Sequence, residues 1–178
     1  MIALLVMTAA LGQDLLGEAQ RLQSEGRYLA ALAVLEQVPD PARAGLQRTL
    51  CLWTAGDLGG ALRAAQVGIE GGGDPDTRRQ LLWRATSLAT ELGEAELALD
   101  LVTRWEEAVS GATDLDGQAR DQWREGWGPG TGTKAARRQA EELVGRLDAA
   151  SRGESRARWV SALMTTLVLG GMIALARR

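Results

Sequence analysis

Gly26–Ala31 reads GRYLAA, and its arrangement of a Gly, a packing residue two positions on and an Ala five positions on occurs twice more. The other copies are Gly56–Ala61 (GDLGGA) and Gly93–Ala98 (GEAELA), and each lies between two apolar helical patterns. The Gly permits a tight turn, and the small Ala lets the returning helix lie close to the first. The three glycines are 30 and then 37 residues apart. This is the period range of stacked helical hairpins, so the pattern predicts three of them.

Composition favours helices over strands. The chain is rich in Ala, Leu, Gly and Arg, has no Phe and contains a single Tyr. Strands need β-branched and aromatic runs that such a chain supplies poorly. We therefore expect an all-α protein with one domain of about 140 residues.

The three units resemble the tetratricopeptide repeat family, whose hairpins turn at Gly-x-Tyr/Leu-x-x-Ala and often close with Pro. The residues that carry the resemblance are Gly26, Tyr28, Ala31, Pro39 and Pro41 in the first unit, Leu58 and Ala61 in the second, and Ala95, Ala98 and Trp105 in the third. Residues 13–110 are assigned to these repeats. The helix positions that the family fills with Trp, Leu and Gly differ here, being Leu15-Glu18-Ala19 and Gly45-Arg48-Thr49. A helical-hairpin array outside the family would equally give a short α-solenoid.

The resemblance implies a concave groove built from the first helix of each hairpin, where a peptide or a helix of a partner protein binds. In the family register, eight residues line this groove: Arg43, Gln47, Leu50, Trp53, Gln80, Trp83, Arg84 and Ser87. Trp and Arg commonly anchor interfaces. Trp at helical spacing is also common in protein cores, and both interpretations stay open for Trp53 and Trp83.

The C-terminal end carries an uncharged run, VSALMTTLVLGGMIALA, from Val160 to Ala176, flanked by Arg158 and by Arg177 and Arg178. A helix of this length measures roughly 25 Å, at the short end of what spans a hydrocarbon core of roughly 30 Å. The run has no polar face, which fits a buried amphipathic helix poorly. Residues 159–176 are predicted to form a transmembrane helix after a polar juxtamembrane segment at 151–158.

The N-terminal run Ile2–Leu11 (IALLVMTAAL) has the length of a signal-peptide core, and small residues follow it. Residues 1–12 are predicted to be a signal peptide cleaved before Gln13, although no Lys or Arg precedes the run. The alternative is a helix packed against the first repeat. A cleaved signal would place the repeats on the periplasmic side of a bacterial-type inner membrane. Without cleavage, the arginines before the span favour a tail-anchored protein that faces the cytoplasm.

Residues 111–133 are predicted to be a Gly-rich linker, and 134–150 a helix that caps or connects the solenoid through Leu143, Val144 and Leu147. Two motifs lie in and beside the linker. Gly128–Ala135 (GPGTGTKA) resembles a phosphate-binding loop but lacks the Gly before Lys134 and the Ser or Thr after it. Asp114–Gly117 (DLDG) resembles the start of a calcium loop, with its Gly two positions early. A solvated linker explains both motifs.

Charge and residue usage exclude several function classes. The net charge of −3 leaves no basic face for nucleic acid. The chain has no His, which removes Ser-His-Asp, Cys-His and most zinc chemistry. Cys51 lies between Leu50 and Leu52 and is expected to be a core residue. We therefore expect no enzyme activity, no cofactor and no metal site.

These observations predict a membrane-anchored, non-catalytic scaffold or assembly factor that binds a protein or peptide partner in the groove. The first alternative is a tail-anchored adaptor with the same repeats facing the cytoplasm. The alternative from another class is a nucleotide-binding enzyme that uses the loop at 128–135. The oligomeric state stays open.

Overall fold

The computed structural model describes residues 14–126 and 130–152, and all regular structure in these ranges is helical. The all-α prediction is confirmed. The helices are α1 (14–24), α2 (Tyr28–Leu35), α3 (Pro41–Thr54), α4 (Leu58–Glu70), α5 (Pro75–Glu91), α6 (Ala95–Ser110), α7 (Gly117–Glu125) and α8 (133–152). Contacts divide the chain into two compact units, Met1–Glu141 and Glu142–Arg178. The predicted signal peptide, the predicted span and most of the juxtamembrane segment lie outside the described residues.

Three turns of one geometry join α1 to α2, α3 to α4 and α5 to α6. Their glycines, Gly26, Gly56 and Gly93, have φ values of 75°, 85° and 78°, in the left-handed region that costs other residues energy. At the middle turn, the Gly56 amide donates to the Trp53 carbonyl and the Asp57 amide to the Leu52 carbonyl, both at 2.9 Å. The same two bonds recur at the other turns. This is the Schellman ending of a helix, and it satisfies carbonyls that would otherwise be left without donors.

Aspartates fix where the longer helices begin. Asp40 accepts hydrogen bonds from the amides of Ala42 and Arg43, with Pro41 at the first position of α3. Asp74 repeats this arrangement before α5, and Asp57 caps α4 through the Gly60 amide at 2.8 Å. Such caps occupy backbone donors at a helix start that have no partner inside the helix.

Small buried residues recur at equivalent places in the three hairpins. Five residues after each turn glycine stand Ala31, Ala61 and Ala98, all without exposed surface. Seven residues before each glycine stand Ala19, Thr49 and Thr86, which are equally buried. The two threonine hydroxyls donate at 2.8 Å to carbonyls four residues earlier in their own helices, which satisfies them inside the core.

Helices α3 and α4 cross closely at a pair of glycines, Gly45 and Gly68. A Cβ atom added to Gly45 would lie 2.6 Å from the Cα of Gly68, well inside van der Waals contact. One added to Gly68 would lie 3.0 Å from the Leu81 side chain of α5. The two glycines therefore set how closely α3, α4 and α5 pack together.

The last apolar face of α6 is covered by α7 and by the beginning of α8. Trp123 of α7 meets Trp105 of α6 edge to face, with ring centroids 6.2 Å apart. Ala140 completes the same buried cluster. Arg137 reinforces it by donating to both carboxylate oxygens of Glu106 at 2.9 Å. The residues predicted to cap, Leu143, Val144 and Leu147, belong to the second compact unit, and Leu147 is half exposed.

The predicted localisation as a single-pass inner-membrane protein with periplasmic repeats requires correction. Within residues 14–126 and 130–152, no helix has the combined length and hydropathy needed to cross a membrane. The longer helices carry charged residues at most turns, as in α5, where Arg78, Arg79 and Arg84 would be costly in hydrocarbon. This finding counts against a single-pass membrane protein. The segment on which the prediction was based, 159–176, lies outside the described residues.

Candidate functional site

The eight predicted groove residues lie on two neighbouring helices, α3 and α5. Arg43, Gln47, Leu50 and Trp53 follow one side of α3 at intervals of three or four residues. On α5, Gln80 precedes Trp83 and Arg84 precedes Ser87 by three residues, and Trp83 and Arg84 are consecutive. Helix α3 contacts α5 directly, whereas α4 and α6, both fully described, share no close contact. The first helices of the second and third hairpins are therefore adjacent, and the second helices of those hairpins are not. We call the eight residues the α3–α5 face.

Most of this face is half-buried. Arg43 is exposed and the other seven residues are intermediate in exposure. Trp53 and Trp83 are partly buried and pack against the main core cluster. Each indole therefore supports the core with part of its surface and leaves the rest available, as the sequence analysis had left open.

Arg84 stands out on this face because its charged guanidinium group is partly buried and its Nε atom lacks a hydrogen-bond acceptor within the described residues. Its guanidinium carbon lies 5.3 Å from the centre of the Trp83 ring, within cation–π range. Its Nε atom is buried and has no hydrogen-bond acceptor within the described residues. Burial lowers the pKa of the Arg84 guanidinium from its usual value, because desolvation disfavours the charged form.

No carboxylate on either helix pairs with Arg84. Helix α3 contains no acidic residue. On α5, Asp76 accepts from Gln80 at 2.7 Å and lies 3.5 Å from Arg79, and Glu91 is two helical turns from Arg84, about 10 Å along the axis. The structure thus holds a partly desolvated cation over an aromatic ring, with no counter-charge among residues 14–126 and 130–152.

Three other polar residues of the face, Arg43, Gln80 and Ser87, already have partners. Arg43 lies 3.5 Å from Asp40 and 3.9 Å from Asp74, in two ion pairs open to solvent. The Ser87 hydroxyl donates to the carbonyl of Trp83 at 3.1 Å. Among the charged residues of the face, Arg84 is therefore the one without an acidic partner within the described residues.

A second arginine, Arg79, is buried on α5 and was not predicted from the sequence. It is 2 % exposed, and its two terminal nitrogens donate to the carboxylate of Asp114 at 3.1 and 2.7 Å. These bonds hold the pKa of the Asp114 carboxyl below its usual range. Asp114 belongs to the segment that resembles a calcium loop, and its carboxylate serves to hold that segment against α5. Within the described residues, no group of three or more potential metal ligands comes together.

The segment that resembles a phosphate-binding loop leads into α8, with residues 127–129 outside the described part. Thr133 is buried, and its hydroxyl donates to the Arg124 carbonyl at 3.4 Å. A Cβ added to Gly132 would lie 2.3 Å from the same carbonyl oxygen, so this glycine permits a close backbone approach. Lys134 is exposed. The described part of this loop packs against the end of α7.

Cys51 is fully buried, with its sulfur 3.6 Å from the carbonyl of Tyr28. Burial raises the pKa of the Cys51 thiol, which keeps it protonated and unreactive. It occupies a small apolar cluster between α1, α2 and α3.

Compared with known proteins, the chain matches no family model, no curated protein and no solved structure.

Proposed function

We propose that this protein is a non-catalytic interaction module, in which three tetratricopeptide-like hairpins stack as a short solenoid and bind a protein partner on the α3–α5 face. The hairpins are α1 with α2, α3 with α4, and α5 with α6. Their identical turns and their small buried residues at matched positions support a repeat origin. The proposal concerns binding alone and includes no chemical step.

The contacts between hairpins support the choice of face. In stacked hairpins, the helices on the inner side of a curved array approach each other more closely than those on the outer side. Helix α3 contacts α5, and α4 does not contact α6. The α3–α5 face accordingly belongs on the inner side, where such arrays bind their partners.

The observation that carries the proposal is the unpaired Arg84 over Trp83. A desolvated cation without an acceptor costs the free protein stability, and a partner carboxylate would remove that cost. An Arg stacked on Trp also presents its donors in one direction, which suits bidentate binding of a carboxylate. The partner segment would therefore place an Asp or Glu at Arg84 and apolar side chains against Leu50, Trp53 and Trp83.

This proposal is tested by selecting partners without assuming their identity. A phage-displayed library of 12-residue peptides is panned against the full-length chain, and selected peptides are synthesised for fluorescence anisotropy. We expect them to combine Asp or Glu with apolar residues. Replacing Arg84 with Gln should weaken their binding about tenfold, or 1.4 kcal/mol, because the charged donor is lost.

The matched control is Arg78→Gln, which neutralises an exposed arginine on the same helix. It should leave the binding unchanged. Selected peptides without acidic residues, or equal effects of the two substitutions, would contradict the proposed role of this face. Thermal unfolding of both variants shows whether either change disturbs the fold.

A further inference from the structure

A second concave surface lies on the opposite side of α3 from the α3–α5 face. It is a cavity of about 430 Å³ between α3 and α4. Because a helix turns 100° per residue, Arg48 and Leu52 face away from Arg43, Gln47 and Leu50. The apolar residues that line the cavity include Val38, Ala44, Gly45, Leu52, Ala64 and Val67. We call it the outer cavity.

Helix α2 does not contribute to the outer cavity. It has 8 residues, whereas α4 has 13 and α6 has 16. No residue of α2 lines the outer cavity, which is bordered by Val38 in the connection that follows α2 and by Pro41 at the start of α3. Val67 of α4, which also lines the cavity, is 57 % exposed.

The charged residues that line the outer cavity are all basic. Arg48 of α3 and Arg63 of α4 both line it, and no acidic residue does. Among the described residues, neither arginine makes a hydrogen bond or an ion pair, in contrast to Arg43, Arg79 and Arg137. Two unpaired guanidinium groups therefore flank an apolar floor that includes Ala44, Gly45 and Ala64.

We propose that the outer cavity docks a second partner segment, of acidic and apolar chemistry, independently of the α3–α5 face. An apolar side chain of the partner fills the space over Gly45 and Ala64 and covers Val67. A neighbouring carboxylate binds between Arg48 and Arg63, where charge complementarity selects acidic over basic segments. The small residues of the floor matter because they leave the depth that an aliphatic side chain needs.

The test uses the full-length chain carrying Arg84→Gln, which weakens the α3–α5 face, and two fluorescein-labelled 14-residue helical peptides. One has Leu and Glu at helical spacing, and the other has Lys in place of each Glu. We expect the Leu/Glu peptide to bind and the Leu/Lys peptide to bind at least tenfold more weakly. Val67→Glu should abolish binding of the acidic peptide, since it places a carboxylate beside both arginines and covers the apolar floor. Val67 is largely exposed, so the variant should fold normally.

A double substitution, Arg48→Gln with Arg63→Gln, should weaken the acidic peptide at least tenfold. Carrying Arg84→Gln throughout separates the two surfaces, because acidic and apolar segments should bind the α3–α5 face about tenfold more weakly in this background. Full binding of the acidic peptide that persists after Val67→Glu would place the peptide outside the outer cavity and overturn the proposal. Equal affinity for the two peptides, or no binding of either, would overturn it as well.

Discussion

At the scale of single residues, two sets of arginines differ in their partners. Arg79 and Arg137 are tied to carboxylates on other segments and hold the structure together. Arg84, Arg48 and Arg63 have no acidic partner within the described residues. All five arginines lie in helices. Their environments differ because different segments pack against them.

Replacing Arg84 with Met should stabilise the free protein and weaken partner binding. Met retains much of the packing of the aliphatic stem, and it removes a partly buried charge that lacks an acceptor. We expect the free energy of unfolding in urea to rise by about 1 kcal/mol. An arginine with only a structural role would give the opposite sign, a loss of stability.

Asp114 should make the stability of the protein depend on pH in the acid range. Hydrogen bonds from Arg79 lower the pKa of Asp114 in the folded state, so its contribution is complete above the ordinary Asp pKa of about 4 and is lost as the pH falls below it. Asp114→Asn should lower the midpoint of thermal unfolding at pH 7. The difference between variant and native protein should shrink between pH 4 and pH 2, as measured by circular dichroism. A difference that is constant over this range would show that the Asp114 charge is not involved.

At the scale of helices, the crossing of α3 and α4 depends on two glycines that the chain separates by 23 residues. Gly45 stands where the resemblance to tetratricopeptide repeats would predict a large residue. In the structure α4 passes too close for a side chain at that position.

Gly45→Ala should therefore destabilise the protein by about 2 kcal/mol, since its Cβ meets the backbone of Gly68 and the helices must move apart. The control is Gly59→Ala in α4, where the nearest atom outside the local backbone is 3.6 Å away. Because Ala is the better helix former, this control should be neutral or stabilising by up to about 1 kcal/mol. Urea unfolding measures both variants. Similar effects of the two changes would show that the crossing tolerates a methyl group.

At the scale of the whole molecule, the main core cluster spans α3 to α8 and its last buried member is Ala140. A chain that ends at residue 141 should therefore keep the thermal midpoint of the full-length chain. A chain that ends at residue 116 lacks Trp123 and Ala140, which uncovers Trp105. It should lose about 3 kcal/mol or more, the usual cost of removing a large aromatic residue from a core. Equal stability of the two truncated chains would mean that α7 and α8 do not contribute to this core.

The part of the fold that sequence predicted correctly is local. The turns were predicted from Gly26, Gly56 and Gly93. The Asp40-Pro41 and Asp74-Pro75 pairs at the helix starts are local signals of the same kind, although the prediction did not rest on them. Each of these signals acts within one helical turn, so reading it requires no knowledge of the tertiary packing. The same local pattern placed the eight candidate residues on α3 and α5.

Contacts between residues that are far apart in the sequence could not be predicted from such local signals. The Gly45–Gly68 crossing and the pairing of Arg79 with Asp114 join residues 23 and 35 positions apart. The outer cavity brings residues of α3 and α4 together with Val38, and Arg84 lacks an acidic partner within the described residues. The sequence by itself determined which residues form helices and where they turn, because hydrogen bonding and backbone conformation are local. Only the tertiary structure decided which charges are paired and which surfaces are open, because those depend on which helices become neighbours.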